Sequence, residues 1–213
     1  MLDLNKLFIG FVSKDELKPG LMGVCYDSLK NNLVATDGHK LFSLHDASSH
    51  ITIQFEQPLE KLNRDAAPIL PVEIFAEYEK RLKGKSTDYR LEHCRILITG
   101  NGSYEDQYFV EFQEKKHGLG EFKTFAGAEC IDEQYPDYQS VIPERLDRGE
   151  VDSIGINPVL LYKMYMALKS YNDLAVTRLY FKSELAPITV RFWAEDPGTE
   201  DLDYDCIIMP IRI

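Results

Sequence analysis

An apolar stripe at helical spacing, followed by a cluster of strand-like runs, occurs three times along this chain, and that recurrence limits the folds open to it. In residues 4–13 (LNKLFIGFVS), Leu4, Leu7, Phe8 and Phe11 recur at intervals of three and four, so they share one helix face opposite Asn5 and Lys6. In residues 70–84 (LPVEIFAEYEKRLKG), Pro71 suits a first turn, Ile74, Phe75, Tyr78 and Leu82 form the stripe, and Gly84 suits the position just past the helix end. In residues 157–170 (NPVLLYKMYMALKS), Asn157 caps, Pro158 takes the first helical position, and Leu161, Tyr165 and Leu168 supply the buried face.

The runs behind each helix read as strands. GLMGVCYDSL and LVATDGHKLFSLH follow the first helix; DYRLEH, RILITGN, YFVEFQE and FKTFAGAECI follow the second; RLYFKS, PITVRFWAE and YDCIIMPIRI follow the third. A helix trailed by antiparallel strands, three times over, predicts an α+β fold built from a repeated unit, although no letter-for-letter repeat exists. PERLDRGEVDS reads as a linker, which divides the chain into residues 1–146, holding two units, and residues 147–213, holding a third, partial unit that ends in the last strand. At 213 residues the chain can bury a core without disulfide staples.

Charge and composition narrow the function. A formal net charge of −11 argues against a protein that coats nucleic acid over its whole surface, while leaving room for a local basic lining. No segment reaches the roughly 18 uncharged apolar residues of a bilayer span, and the first residues lack the pattern of a cleaved leader, so the expected compartment is the cytoplasm. Cys25, Cys94, Cys130 and Cys206 are far apart without a C-x-x-C pair, which fits free thiols and implies neither a metal site nor any cofactor. Asp37-Gly38 between two apolar runs signals a hairpin with a type I′ turn, in which both central residues take positive φ. His39 beside it has no nucleophile or metal signature to work with, so an enzyme is not expected. CIIMPIRI, apolar to its last residue, reads either as a final core strand or as one wall of a peptide groove, and YPDYQSVIP as a stiff, Pro-bounded connector.

Taken together and in this order, LVATDGHKL, YPDYQSVIP and IIMPIRI resemble the bacterial sliding clamp, the β subunit of DNA polymerase III. The resemblance extends to LMGVCYD before the first motif and to INPVLLYKMYMALKS before the last. It implies a DNA-clamp-like fold with helices on one face of the sheets, and a non-enzymatic processivity or tethering factor. It also implies a peptide-binding cleft for DNA polymerase, clamp-loader or repair proteins, made here of Leu21, Thr36, Gly38, His39, Lys40, Leu41, Pro136, Val141, Met209, Pro210, Ile211, Arg212 and Ile213. Thr36, His39 or Arg212 would hold the polar part of a glutamine-led motif ending in leucine and phenylalanine. Helix-borne Lys6, Lys80, Arg81, Lys83, Lys163 and Lys169 would contact duplex DNA through its phosphates. The chain departs from the family pattern in supplying about three units where clamps have three full domains, which puts ring closure and subunit number in question. It also carries Lys40, Gln139 and Ser140 where clamps often carry Arg. The competing reading is a clamp-derived interaction module that binds peptides without encircling DNA.

Overall fold

The computed structural model describes residues 3–56, 67–100, 108–116, 120–142, 154–168, 174–183, 186–194 and 204–210. The linker residues 143–153 that mark the expected domain boundary, and the cleft and DNA-contact candidates Ile211, Arg212, Ile213 and Lys169, lie outside them.

The first unit is helix α1 (Leu4–Ile9) followed by β1 (Gly23–Asp27), β2 (Asn32–Thr36), β3 (Lys40–Leu44) and the short β4 (Ile53–Phe55). The second is β5 (Ile69–Pro71), α2 (Val72–Leu82), α3 (Thr87–His93), β6 (Cys94–Gly100), β7 (Tyr108–Lys115) and β8 (Phe122–Glu129). The third is α4 (Pro158–Leu168) with β9 (Leu174–Tyr180), β10 (Ile188–Ala194) and β11 (Tyr204–Ile208). This is an α+β architecture, and the helix-then-strands unit does recur three times.

The helices obey the local signals in the sequence, with three corrections. α1 stops at Ile9 instead of running to Ser13, because the Gly10 N–H already closes back onto the Leu7 and Phe8 carbonyls and α4 crosses at that point. DYRLEH is a helix, not a strand: the Ser86 hydroxyl caps it by accepting from Tyr89 N–H at 3.2 Å, and the Arg90 guanidinium turns back to the Leu82 carbonyl at 2.9 Å. In α4 the buried face is Met164, Ala167 and Leu168, while Leu161 and Tyr165 are half-buried, a rotation set by its packing on α1. Asn157 Oδ1 accepts from Val159 N–H at 3.0 Å, the expected cap. Gly84, just past α2, has φ +84°, which a side chain would resist.

The strands form two sheets. One has the order β5-β1-β2-β3-β11-β10-β9, the other β4-β6-β7-β8. The first unites strands from both sides of residue 146, because β3 and β11 pair antiparallel from Leu44↔Tyr204 to Lys40↔Ile208. One continuous core fills the space between sheets and helices, with Phe8, Phe42 and Phe75 at its centre and the Phe8 and Phe75 rings 4.9 Å apart. Side chains of this size each gain about 1.5–3 kcal/mol on full burial. α1 packs against both α2 and α4.

Candidate functional site: two surfaces around one hairpin turn

The β2–β3 turn is held by Asp37. Its carboxylate accepts from the His39 N–H at 3.0 Å, the Lys40 N–H at 3.0 Å and the Lys40 ammonium. Burial pushes the Asp37 carboxyl up, but these hydrogen bonds and the Lys40 charge outweigh it and hold the group below the usual carboxylate range. The Thr36 hydroxyl closes the ring, donating to the Lys40 carbonyl at 2.8 Å and accepting from Gly38 N–H at 3.1 Å. Gly38 takes φ +87°; among the described non-glycine residues only Asn31 and Asp46 have positive φ, so the turn is not the expected type I′ with two such residues. An Asp side chain that gathers three donors fixes its own backbone and leaves the left-handed step to glycine alone.

Residues on either side of this turn alternate between faces. On the outer face, away from the helices, Cys25, Val34, Leu41, Tyr138 and Ile207 make a small separate apolar cluster, flanked by Ala67, Tyr135, Val141 and Ile142. Leu41 stands directly opposite Ile207 in the β3–β11 ladder, and Met209 N–H donates to the His39 carbonyl at 3.1 Å, so Met209 lies against the turn. The segment 134–142 straps across this cluster. The Tyr135 hydroxyl donates to the Val34 carbonyl at 3.1 Å, and the Tyr138 hydroxyl donates to the Asp27 carboxylate at 2.6 Å. Leu21, at the end of a 3₁₀ turn, comes within 3.9 Å of where a Cβ on Gly38 would sit. Val141 packs at the cluster's edge and Pro136 is exposed on the strap. Burial, then the Asp27 charge, pushes the Cys25 thiol up to about 12; burial, then the bond to Asp27, pushes the Tyr138 hydroxyl up to about 12. Both groups are therefore neutral near pH 7; Cys25, Val34, Leu41 and Ile207 are buried beneath the strap together with its own Tyr138, and Ala67, Tyr135, Val141 and Ile142 form the cluster's half-buried edge.

Lys40 belongs to the opposite face. Its side chain is 3% exposed, beneath the Phe11 ring with the ammonium 5.7 Å from the centroid, and so it lies across β3 from Leu41. There a cleft of about 610 Å³ opens between α1, the segment after it, the turn and α4. Lys6, Lys14, Lys18, His39 and Lys163 line it, with Asp15 and Asp37, and exposed Ile9, Tyr162 and Met166 form an apolar wall. Lys6 and Lys163 are DNA-contact candidates from the sequence; Lys14 and Lys18 line the same cleft but sit in a loop, where no periodicity ties a lysine to a helix face. Lys6 pairs with Asp3 at 3.2 Å; on α2, Arg81 pairs with Glu77 at 3.0 Å and lies 3.5 Å over the Phe125 ring, and Lys80 reaches the same Glu77 at 3.5 Å. Lys83 ends α2 as its C-terminal cap. Among the described residues no three His, Cys, Asp or Glu side chains gather as a metal site would require, and no helix is long and apolar enough to cross a membrane.

Neither a protein-family model nor any curated protein matches the sequence. Solved structures do match in backbone. The DNA polymerase III β subunit of Thermotoga maritima superposes with a TM-score of 0.58 at 17% identity, over 99% of this chain and 63% of that one. This chain has the sliding-clamp fold. The sliding clamp of Bartonella birtlesii bound to griselimycin gives 0.55 at 17% identity over 99% and 63% of the two chains. That of Bacillus subtilis gives 0.54 at 18% over 99% and 62%. The chain thus takes up a clamp fold along nearly its whole length while spanning less than two thirds of the clamps it matches. Within that fold the turn, the strap and the last strand, which carry the three motifs, meet at one place on the outer face.

Proposed function

We propose that this chain is a non-enzymatic, clamp-type tether that docks short peptides of polymerase, clamp-loader or repair proteins on its outer apolar cluster. The observation that carries this reading is the junction at His39, Leu41, Ile207 and Met209, where the turn, the strap and the final strand converge from distant parts of the sequence. A greasy patch rimmed by a few polar groups suits the aromatic and aliphatic anchors of such a peptide. Half-buried Val141 and Met209 supply the apolar contacts over buried Leu41, Leu21 and Gly38 the near wall, and Pro136 and Pro210 the rim. Ile211, Arg212 and Ile213 complete the cleft in this reading. Thr36 spends its hydroxyl on the turn, so His39 and Arg212 hold the polar end of the peptide. Lys40 acts from beneath, fixing the turn through Asp37.

The test is fluorescence anisotropy with a labelled peptide that begins with Gln and ends in Leu-Phe. Met209→Ala and Val141→Ala each weaken it by about 1–2 kcal/mol while leaving the thermal melt unchanged. Unaltered affinity in both folded variants removes the docking assignment.

Duplex DNA along the helix layer is the second part of the proposal, with Lys6 and Lys163 joined by Lys14 and Lys18 in the basic cleft, and Lys80, Arg81, Lys83 and Lys169 as outlying contacts. Such binding is sequence-independent and weakens with salt: replacing Lys14 and Lys163 with Glu lowers the slope of log K against log salt by about one for each phosphate no longer neutralised. The net charge of −11 favours the alternative, a peptide-binding module that never encircles DNA. A chain with no salt-sensitive DNA affinity but intact peptide binding selects that alternative. In either case residues 1–146 form a two-unit domain and residues 147–213 a third unit working against it, in the cytoplasm.

A further inference from the structure

α4 carries more apolar surface than the rest of the described chain covers. Met164, Ala167 and Leu168 face the core, and a second stripe, Val159, Tyr162 and Met166, runs along its outer side at spacings of three and four. These three side chains are 53%, 61% and 47% exposed. Ile9 of α1, 49% exposed, lines the same cleft as Tyr162 and Met166. Single exposed apolar residues are ordinary on a protein surface, whereas a stripe gathered along one side of a groove marks a place where another chain lies.

The charge around the stripe indicates what kind of chain. Lys14 and Lys18 stand on the loop after α1, and Lys163 stands on α4 between Tyr162 and Met166, all of them exposed. Lys6 joins them at the rim, already paired with Asp3. The carboxylates in the lining are Asp15 and Asp37, and Asp37 is taken up by Lys40. On a chain with a formal charge of −11, this cleft is a basic exception. A DNA duplex brings one negative charge for about every 1.7 Å of its length and carries that charge past the cleft, against the acidic remainder of the chain. Its phosphate flank also offers nothing apolar to cover Tyr162 and Met166. A short acidic segment with aliphatic or aromatic residues on one side matches both features and ends where the lysines end.

We propose that the cleft between α1 and α4 docks an acidic amphipathic helix of a partner protein, with its apolar side on Ile9, Tyr162 and Met166 and its carboxylates on Lys14, Lys18 and Lys163. This second docking surface lies on the opposite face of the sheet from the outer cluster, and it goes beyond the docking proposed there: either surface can be filled while the other is empty. Duplex DNA competes with the helix for the same lysines.

The probe is a labelled peptide of about 12 residues, roughly three helical turns, with Leu and Phe at spacings of three and four and Asp or Glu elsewhere. Fluorescence anisotropy on the whole chain, at roughly 50 and 200 mM salt, is expected to show saturable binding that weakens as salt rises. Tyr162→Ala and Met166→Ser each raise the Kd about tenfold, as loss of an apolar anchor does. Lys14→Glu combined with Lys163→Glu raises it at least as much and flattens the salt dependence. All four side chains are exposed, so the thermal melts stay at the wild-type temperature. The Gln-led peptide binds Tyr162→Ala as it binds the wild type, which separates this test from that of the outer cluster. A control probe with Ser in place of its Leu and Phe does not bind; if it binds as well as the parent, the attraction is charge alone and the proposal is overturned. It is overturned equally by a wild-type chain that does not bind the probe, or by binding indifferent to both Tyr162→Ala and Met166→Ser. Duplex DNA that binds more tightly than the probe, and loses as much affinity in Tyr162→Ala, gives the cleft to nucleic acid instead. A dimer in light scattering that Tyr162→Ala dissolves gives the stripe to a second copy, and either result overturns the proposal.

Discussion

Asp37 and Lys40 hold opposite obligations. The Lys40 side chain is almost wholly removed from water, and removing its partner leaves that charge stranded, a change that costs about 3 kcal/mol or more in such pairs. Asp37→Ala is therefore expected to lower urea-unfolding stability by about 3 kcal/mol, while Lys40→Met, which keeps the volume under Phe11 and removes the charge, costs less. The pH dependence has a definite sign. A carboxyl held below its ordinary value near 3.8 contributes fully above that value, and the contribution is lost as pH falls through the lower, folded value. The stability gap between wild type and Asp37→Asn should be constant above about pH 5 and close below about pH 4, as read from urea midpoints across pH. The Asp-Gly pair made this turn legible in the sequence. Its backbone type was not, because three donors converging on one carboxylate is a tertiary outcome that a dipeptide does not encode.

Among the elements, α1 and α4 approach so closely that a Cβ on Gly10 would sit 2.6 Å from the Ala167 Cβ. Gly10→Val must push the helices apart and is expected to cost about 1–3 kcal/mol in thermal or urea unfolding, with Ala167→Gly restoring part of it. Ser86→Ala should cost about 1 kcal/mol through loss of the α3 cap, which distinguishes that helix from the strand its letters imply. Helices with apolar residues at three and four were readable, as were β6, β7 and β8 from their runs of Val, Ile and Phe. DYRLEH failed because its helix draws stability from Arg90, buried against Glu79 at 3.3 Å and the Leu82 carbonyl, partners that local alternation cannot reveal. β4 and β5, three residues each, are strands only by virtue of the sheets they join.

At the scale of the molecule, the β3–β11 seam unites the first and third units, and the strap from Gln134 to Ile142 binds the second to the first sheet. The outer cluster exists only where these meet, so its ingredients were visible as three motifs but its geometry was not. A chain ending before Tyr204 should therefore keep β1 to β3 yet expose Phe42 and Leu41 at an open edge, and bind a hydrophobic dye that the full chain excludes. The same seam imposes an order on biogenesis. At roughly 5–20 residues per second, the ribosome needs on the order of ten seconds between releasing β3 and releasing its partner. Throughout that interval the nascent hairpin has an unsatisfied flank, and the outer apolar cluster is complete only once β11 has followed it out.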